Sequence, residues 1–296
     1  MGLNIAILGA GGIGRYHVRE FANAGCEVSI FGRTEEGVNQ VAKNIKENFG
    51  IVVKPYYDLE EMLDSERPNA VSICTPPETH EELIRKCLER RLHILCEKPL
   101  ISGKKIYHRT SELFGLAQSA KRILTVNTQW PSILEVFRSY GVFDEPIKKL
   151  EIYMEPGESG KEMLIDHLPH ANSILMKLVK GKAIEIQFEK KDKEEIIINF
   201  NYEACKVKYH FKYNPNRPRK LELIFNGKKF ARKVGEDYQQ SFEGEGKTIR
   251  IEDPLAVSIR KFLGAIERKE PPLIEKNEVL ESAKLTELIL AEYNKT

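Results

Sequence analysis

Residues Gly9-Ala10-Gly11-Gly12-Ile13-Gly14 fit the spacing G-x-G-x-x-G, directly after a strand-like run and at the head of a segment that reads as a helix ending near Gly25. In that setting Gly9 allows a tight turn, Gly11 lets backbone approach a pyrophosphate, and Gly14 permits close packing of the helix. The phosphates then sit at the helix N-terminus, with Gly12 and Ile13 completing the turn. The alternative is a glycine-rich turn without a nucleotide, which the strand-turn-helix setting disfavours. Cofactor choice turns on the residues just after the second strand, where a carboxylate would accept from the ribose 2′-hydroxyl of NAD. The sequence there is Phe31-Gly32-Arg33-Thr34. Arg33 can stack on adenine and pair with a 2′-phosphate, and Thr34 can add a hydroxyl, so the reading is NADP ahead of NAD. Glu35 and Glu36 are the competing ribose ligands, but both fall in the expected first turn of the next helix. Glu97-Lys98-Pro99 comes after another strand-like run, at the edge of a parallel sheet where ligands collect. A lysine there can stabilise an alkoxide-like oxygen or relay its proton; a plain surface lysine is the alternative. Asp166 and His170, four residues apart, share one helix face and make a workable general base with a carboxylate neighbour. His167 lies one residue round the helix and is a poorer candidate. Zinc ligation by these residues is disfavoured, because no convincing third ligand group accompanies them, and no metal is expected.

The elements that must position these residues change texture along the chain. From residue 3 to about 127, strand-like runs (Asn4 to Leu8, Glu27 to Phe31, Val52 to Pro55, Ala70 to Thr75, His93 to Cys96, Ile123 to Asn127) alternate with helical periods. That alternation predicts βαβ units and a doubly wound parallel sheet. Thr34 is a candidate helix cap, and Thr79 to Glu82 reads as a capping box. Beyond about residue 145, strand-like runs succeed one another: Lys148 to Met154, Ala183 to Glu189, Glu195 to Tyr202, Lys206 to Tyr213, Lys220 to Phe225 and Lys228 to Val234. These predict a mainly antiparallel, open sheet in an α+β domain, with Asn226-Gly227 as a two-residue hairpin turn. Ile184, Ile186 and Phe188 alternate as if on one face of that sheet. Helices are expected at Asp166 to Val179, Pro254 to Glu267 and Asn277 to Tyr293. The expected division is a dinucleotide-binding Rossmann domain over 1–124 and a substrate-binding and oligomerisation domain over 125–296.

Composition narrows the class. The chain has 296 residues, about two domains' worth, and 46 Lys+Arg against 44 Asp+Glu leave a formal charge of +2. That balance creates no long-range field for nucleic acid or an anionic membrane. The basic cluster Arg217, Arg219 and Lys220, beside Pro215 and Pro218, reads as a solvated hairpin turn. No apolar run approaches the length of a membrane span, and the N-terminus lacks the order of a signal peptide, so a cytoplasmic address is expected. Cys26, Cys74, Cys87, Cys96 and Cys205 contain no C-x-x-C pair and read as reduced core thiols.

The ordered motifs resemble those of the glucose-fructose oxidoreductase, inositol dehydrogenase and MocA family: Gly9 to Gly14, Cys74-Thr75-Pro76-Pro77-Glu78-Thr79-His80, Cys96-Glu97-Lys98-Pro99-Leu100, Asp166-His167-Leu168-Pro169-His170, and a closing Asp253-Pro254-Leu255 helix with Phe262. The resemblance implies an NAD(P)-dependent oxidoreductase that moves a hydride between nicotinamide and a hydroxyl- or carbonyl-bearing carbon of a small, possibly sugar-derived molecule. It implies that Lys98 touches both nicotinamide and substrate and is the first catalytic candidate, that Glu97 orients its turn, and that the Lys98–Pro99 bond is often cis. It implies that His170 takes or donates the hydroxyl proton and that Asp166 contacts substrate or orients the histidine. It also places Thr75, Pro76 and His80 near the nicotinamide half, although a solvent-edge helix position is the competing reading for His80. The chain departs from the family where a glycine and a later acid are usual, having Leu168-Pro169 and Ser173. It also has Asn127-Thr128-Gln129-Trp130, candidate substrate contacts, where an arginine is common. These departures put a polyol substrate in doubt. Two readings stay open beside the dehydrogenase: a cofactor-binding sensor or regulator with weak turnover, and a reductase of imines or biosynthetic intermediates. A homo-oligomer, dimer or tetramer, is expected to cover the open sheet.

Overall fold

The computed structural model describes residues 2–143, 145–235 and 239–295, in two compact units interleaved along the chain. The first comprises residues up to Lys104, His108–Asn127 and Ser258–Lys276; the second comprises Lys105–Tyr107, Thr128–Val257 and the chain from Asn277 on.

The first unit carries β1 (Asn4–Leu8), α1 (Gly14–Asn23), β2 (Glu27–Phe31), α2 (Glu35–Phe49), β3 (Lys54–Tyr56), α3 (Leu59–Glu66), β4 (Ala70–Ile73), α4 (His80–Glu89), β5 (His93–Glu97), most of α5 (Ile106–Ala120) and β6 (Leu124–Asn127). The six strands pair in parallel in the order β3-β2-β1-β4-β5-β6. This is the doubly wound arrangement, whose order reverses between β1 and β4 and opens a crevice at the strands' carboxyl ends. The central strands are apolar on both faces because helices cover both: Ile5, Ala6, Ile7, Leu8, Val71, Ile73, Ile94 and Leu95 are all buried. Thr34 caps α2 as expected, its Oγ1 accepting from the Gly37 amide at 3.2 Å. Thr79 does not form the expected capping box. Its hydroxyl instead donates to the Pro76 carbonyl and lies 2.7 Å from Thr75 Oγ1, because Pro77–Thr79 is already a 3-10 turn that feeds α4.

The second unit holds α6 (Ile133–Ser139), β7 (Lys149–Met154), α7 (Lys161–Leu178), β8 (Ala183–Lys191), β9 (Glu195–Tyr202), β10 (Cys205–Lys212), β11 (Leu221–Phe225), β12 (Lys228–Val234), β13 (Gln240–Gly244) and β14 (Lys247–Ile251). Its eight strands run β14-β13-β12-β11-β7-β10-β9-β8, antiparallel except for the parallel pair β7 and β10. Asn226 and Gly227 both take positive φ in the β11–β12 turn, as a two-residue hairpin requires. Two features escape the sequence pattern. β13 and β14 contribute one fully buried side chain each, Phe242 and Ile249, among polar neighbours. In β8, register shifts flank Gln187, and Glu185 has φ 57, so Ile184 is 55% exposed and the expected alternation fails. An aromatic cluster of Phe137, Phe225, Phe230 and Phe242 centres the core.

The chain closes with α8 (Pro254–Glu267), whose Phe262 meets Phe21 edge-to-face at 6.4 Å in the first unit, and α9 (Lys276–Tyr293). In the second unit, Asn172 Nδ2 of α7 donates to the Ser282 carbonyl and Thr286 Oγ1 of α9. The five cysteines are free, and no helix of the described residues is long and apolar enough to cross a membrane.

Candidate nucleotide and substrate sites

The glycine turn has the geometry its spacing demands. Gly9 has φ 89, and a Cβ there would lie 2.9 Å from the Cys74 carbonyl oxygen. At Gly14 a Cβ would lie 2.1 Å from the Gly9 carbonyl oxygen, so α1 can pack this closely only on glycine. At Gly11 and Gly12 a Cβ would meet nothing within 4 Å. Two of the four glycines are therefore enforced by protein packing, and two leave an open backbone surface at the first turn of α1. Ile13, beside them, is 41% exposed. A cavity of about 290 Å³ lies against this surface, lined by Gly11, Gly12, Arg15, Asn44 and Asn48 among others. A larger one, about 410 Å³, is lined by Arg67, Pro68, Arg90 and Leu92, at the amino ends of β4 and β5. Ligands of this topology collect at the opposite ends, on the side where Gly11 and Gly12 of the smaller cavity follow β1.

Beyond β2, Arg33 is exposed and makes no hydrogen bond or ion pair among the described residues, while Glu35 and Glu36 lie in the first turn of α2. At the end of β4, Thr75 is half-buried and Pro76 exposed. His80 is fully buried, so the solvent-edge reading fails. Its ring nitrogens lie 2.9 Å from the Pro99 carbonyl and 2.8 Å from the Thr75 carbonyl, tying together the loops after β5 and β4. The Lys98–Pro99 bond is cis, and Lys98 is half-buried at the carboxyl end of β5.

Beneath Lys98 lies a buried polar network that the sequence reading missed. His17, on the apolar stripe Gly14-His17-Val18-Phe21 of α1, has Nδ1 2.8 Å from Ser72 Oγ and Nε2 2.9 Å from Glu97 Oε1. Asn127 Nδ2 donates to the same Glu97 oxygen at 2.5 Å, so its amide braces β5 against β6, while its Oδ1 is buried with no hydrogen-bond partner. Burial alone would depress the His17 imidazolium, but the Cys74 sulfur and the Glu97 carboxylate outweigh it and hold the pKa up at about 10. Burial pushes Glu97 the other way, and hydrogen bonds from His17 and Asn127 with the imidazolium charge bring its carboxyl below the usual range. At neutral pH this is an ion pair in the interior of the first unit. Its sequence signal is a histidine at an i, i+3, i+4, i+7 position, where the pattern asks for an apolar residue.

In the second unit, α7 begins at Lys161, five residues earlier than expected, and Pro169 sits inside it. Asp166 and His170 consequently lie in its interior turns, and Pro169 has no N–H for the Ile165 carbonyl. The Asp166 carboxylate lies 2.9 Å from His167 Nδ1, and the His167 and His170 rings are 6.1 Å apart, nearly perpendicular. Ser173, at the position of the missing acid, is buried, and its hydroxyl donates to the His170 carbonyl at 2.8 Å. Gln129 and Trp130 open a 3-10 turn after β6, with Trp130 9% exposed under the Arg232 guanidinium at 5.2 Å. The basic turn is only partly solvated: Arg219 is half-buried, its guanidinium against Gly157 and its Nε donating to the Asn214 carbonyl at 3.0 Å.

Residues 3–128 match the model of the oxidoreductase family with an NAD-binding Rossmann fold. Over 177 residues, 58% of this chain, the sequence is 25% identical to an inositol 2-dehydrogenase of Azotobacter vinelandii. Over 173 residues it is 30% identical to inositol 2-dehydrogenase 2 of Mycolicibacterium vanbaalenii. The chain spans about half the length of the curated relatives it matches, 47% and 45%. Among solved structures, UDP-N-acetylglucosamine 3-dehydrogenase GnnA from Acidithiobacillus ferrooxidans superposes with a TM-score of 0.77 at 16% identity, over 98% of this chain and 97% of that one. A 3-ketoreductase from Actinomadura kijaniata, in complex with TDP-benzene and NADP, gives 0.78 at 18% identity, over 98% of each chain. An oxidoreductase from Agrobacterium radiobacter, in complex with NAD+, L-tartaric acid and magnesium, gives 0.75 at 12% identity, over 99% of this chain and 97% of that one. At these identities the likeness is one of fold.

Proposed function

We propose, from the premise that residues 3–128 belong to the glucose-fructose oxidoreductase, inositol dehydrogenase and MocA family with its NAD-binding Rossmann fold, that this chain is an NAD(P)-dependent oxidoreductase. Its reaction moves a hydride between nicotinamide and the hydroxyl or carbonyl carbon of a small molecule. The observation that carries the reading is the open backbone at Gly11 and Gly12, at the switch point of a sheet whose β5 ends at Glu97, directly before Lys98. The residues fit a dinucleotide: Gly9, Gly11, Gly12, Ile13 and Gly14 would hold its pyrophosphate, Thr75 and Pro76 its nicotinamide ribose, with Glu97 and His80 fixing the loops around it. Arg33, exposed and unengaged, and the Thr34 hydroxyl favour a 2′-phosphate, hence NADP over NAD. When bound, the cofactor supplies or accepts the hydride. Lys98 holds the developing alkoxide or relays its proton, His170 takes that proton in oxidation or gives it in reduction, and Asp166 orients that histidine or contacts the substrate. Asn127, Gln129 and Trp130 complete the substrate contacts. The buried Ser173, its hydroxyl spent on the His170 carbonyl, favours a substrate other than a polyol. A homo-oligomer that covers the outer face of the eight-stranded sheet goes with this reading.

The test is a screen of hydroxy, keto and imine compounds with NADPH or NADP+, read by nicotinamide absorbance. Turnover that falls at least a hundredfold in both Lys98→Ala and His170→Ala, with nucleotide binding retained in His170→Ala, is expected. Turnover unaffected by either substitution would contradict the assignment.

A further inference from the structure

The side chains of β12 alternate, and the face that carries Phe230, 1% exposed, is the one turned to the core. Arg232 is two residues on, hence on that same face, and pairs across the sheet with Phe242, itself fully buried. A position that the pattern reserves for an apolar residue thus holds a guanidinium. One plane of it is stacked on Trp130, at 5.2 Å. Its Nε is buried with no acceptor, and Arg232 enters no ion pair or hydrogen bond among the described residues. On the neighbouring strand, Gln240 opposes Val234, which places it on the same face diagonally from Arg232. Its Oε1 is likewise buried and without a donor.

The charge that acts most directly on Arg232 makes this worse. Burial lowers its basicity, and the Arg217 guanidinium, on the turn between β10 and β11, lowers it further. Arg217 is exposed and also engages no carboxylate among the described residues. A half-buried cation facing a second cation, with no carboxylate on either among the described residues, is costly to a folded chain; an apolar residue of the same volume would serve packing better. The donor edge of a guanidinium, left open when its face is stacked, matches a planar carboxylate or a phosphate in two parallel hydrogen bonds.

We propose that Arg232, laid on Trp130 and joined by Arg217, is an oxyanion subsite that takes the phosphate or carboxylate group of the substrate, with Gln240 Oε1 accepting from an adjacent hydroxyl or amide of the same molecule. That the anion belongs to the substrate rests on the oxidoreductase reading above; that the site binds an oxyanion does not. The substrate is accordingly an anionic hydroxy or keto compound.

Trp130 is the only tryptophan of the chain, so its emission reports directly on the guanidinium stacked over it. The experiment titrates the full chain, without nucleotide, with inorganic phosphate and separately with acetate, at ionic strength held constant by chloride. A saturable change in tryptophan emission is expected for at least one anion, and the stronger of the two identifies the group. Arg232→Met is expected to weaken binding at least tenfold while keeping or raising the melting temperature, because it removes an uncompensated charge. Arg217→Gln, on an exposed turn, keeps the test open whatever happens to folding in the first variant, and is expected to weaken binding about threefold. No saturable response to either anion, or equal affinities in wild type and Arg217→Gln, would overturn the subsite. Anion binding without any hydride transfer in the screen would instead leave the subsite standing and remove the oxidoreductase reading.

Discussion

The two units differ in how far their buried charged groups are paired. In the first, His17, Ser72, Glu97 and the Asn127 Nδ2 amide bond to one another below the lysine that follows β5, leaving Asn127 Oδ1 open, and His80 ties two loops through their carbonyls. In the second, Arg232 Nε and Gln240 Oε1 are buried and open. A paired charge holds backbone in place, whereas an unpaired buried guanidinium costs stability unless a ligand engages it. Stability and recognition should therefore separate between the units.

The strongest way to break the comparison is His17→Leu, which leaves Glu97 buried beside no imidazolium. A loss of about 3–5 kcal/mol in denaturant unfolding is expected, most of it recovered in the His17→Leu, Glu97→Leu double variant. The pair also carries a pH signature. The His17 pKa is raised from 6.5 to about 10, so its contribution is complete below 6.5 and fades as pH climbs toward 10. Glu97 is depressed, so its contribution is present above 4.5 and lost as acid takes the pH down through its lowered folded value. The stability gap between wild type and the double variant should peak at about pH 5–6.

Next in size is Gly14→Ala, whose Cβ would lie 2.1 Å from the Gly9 carbonyl. It should cost about 3 kcal/mol, whereas Gly11→Ala, with open space around its Cβ, should leave thermal unfolding unchanged. Thr34→Ala removes the α2 cap and should cost about 1 kcal/mol. Arg33→Ala should leave stability alone and reduce the NADPH-to-NADH affinity ratio about tenfold, the loss of one charge-assisted contact. A fall in stability as large as that of Gly14→Ala would place Arg33 in the fold instead of at the cofactor.

Much of the first unit is legible because its rules are local. Glycine spacing, strand length and the Thr34 cap each sit within a few residues, and β1 and β2 occupy the residues expected of them. His17 escapes because its partners come from β4, β5 and β6, which no local pattern connects. Thr79 misleads because a proline-led turn leaves its hydroxyl free for Thr75. In the second unit, α7 reads too short because Pro169 suggests a helix start, where the helix tolerates it in its interior. β13 and β14 are invisible because one buried side chain each cannot make a period. Arg232 reads as one more basic residue in Lys228-Lys229-Phe230-Ala231-Arg232-Lys233, and only pairing with Phe242 shows which face it takes.

The most direct measurement is isothermal titration of the protein with NADPH and with NADH, beside Gly11→Asp. The account predicts tighter binding of NADPH, and a Gly11→Asp protein that melts as the wild type does but binds neither nucleotide. Wild-type protein, folded by circular dichroism, that binds neither nucleotide would contradict it.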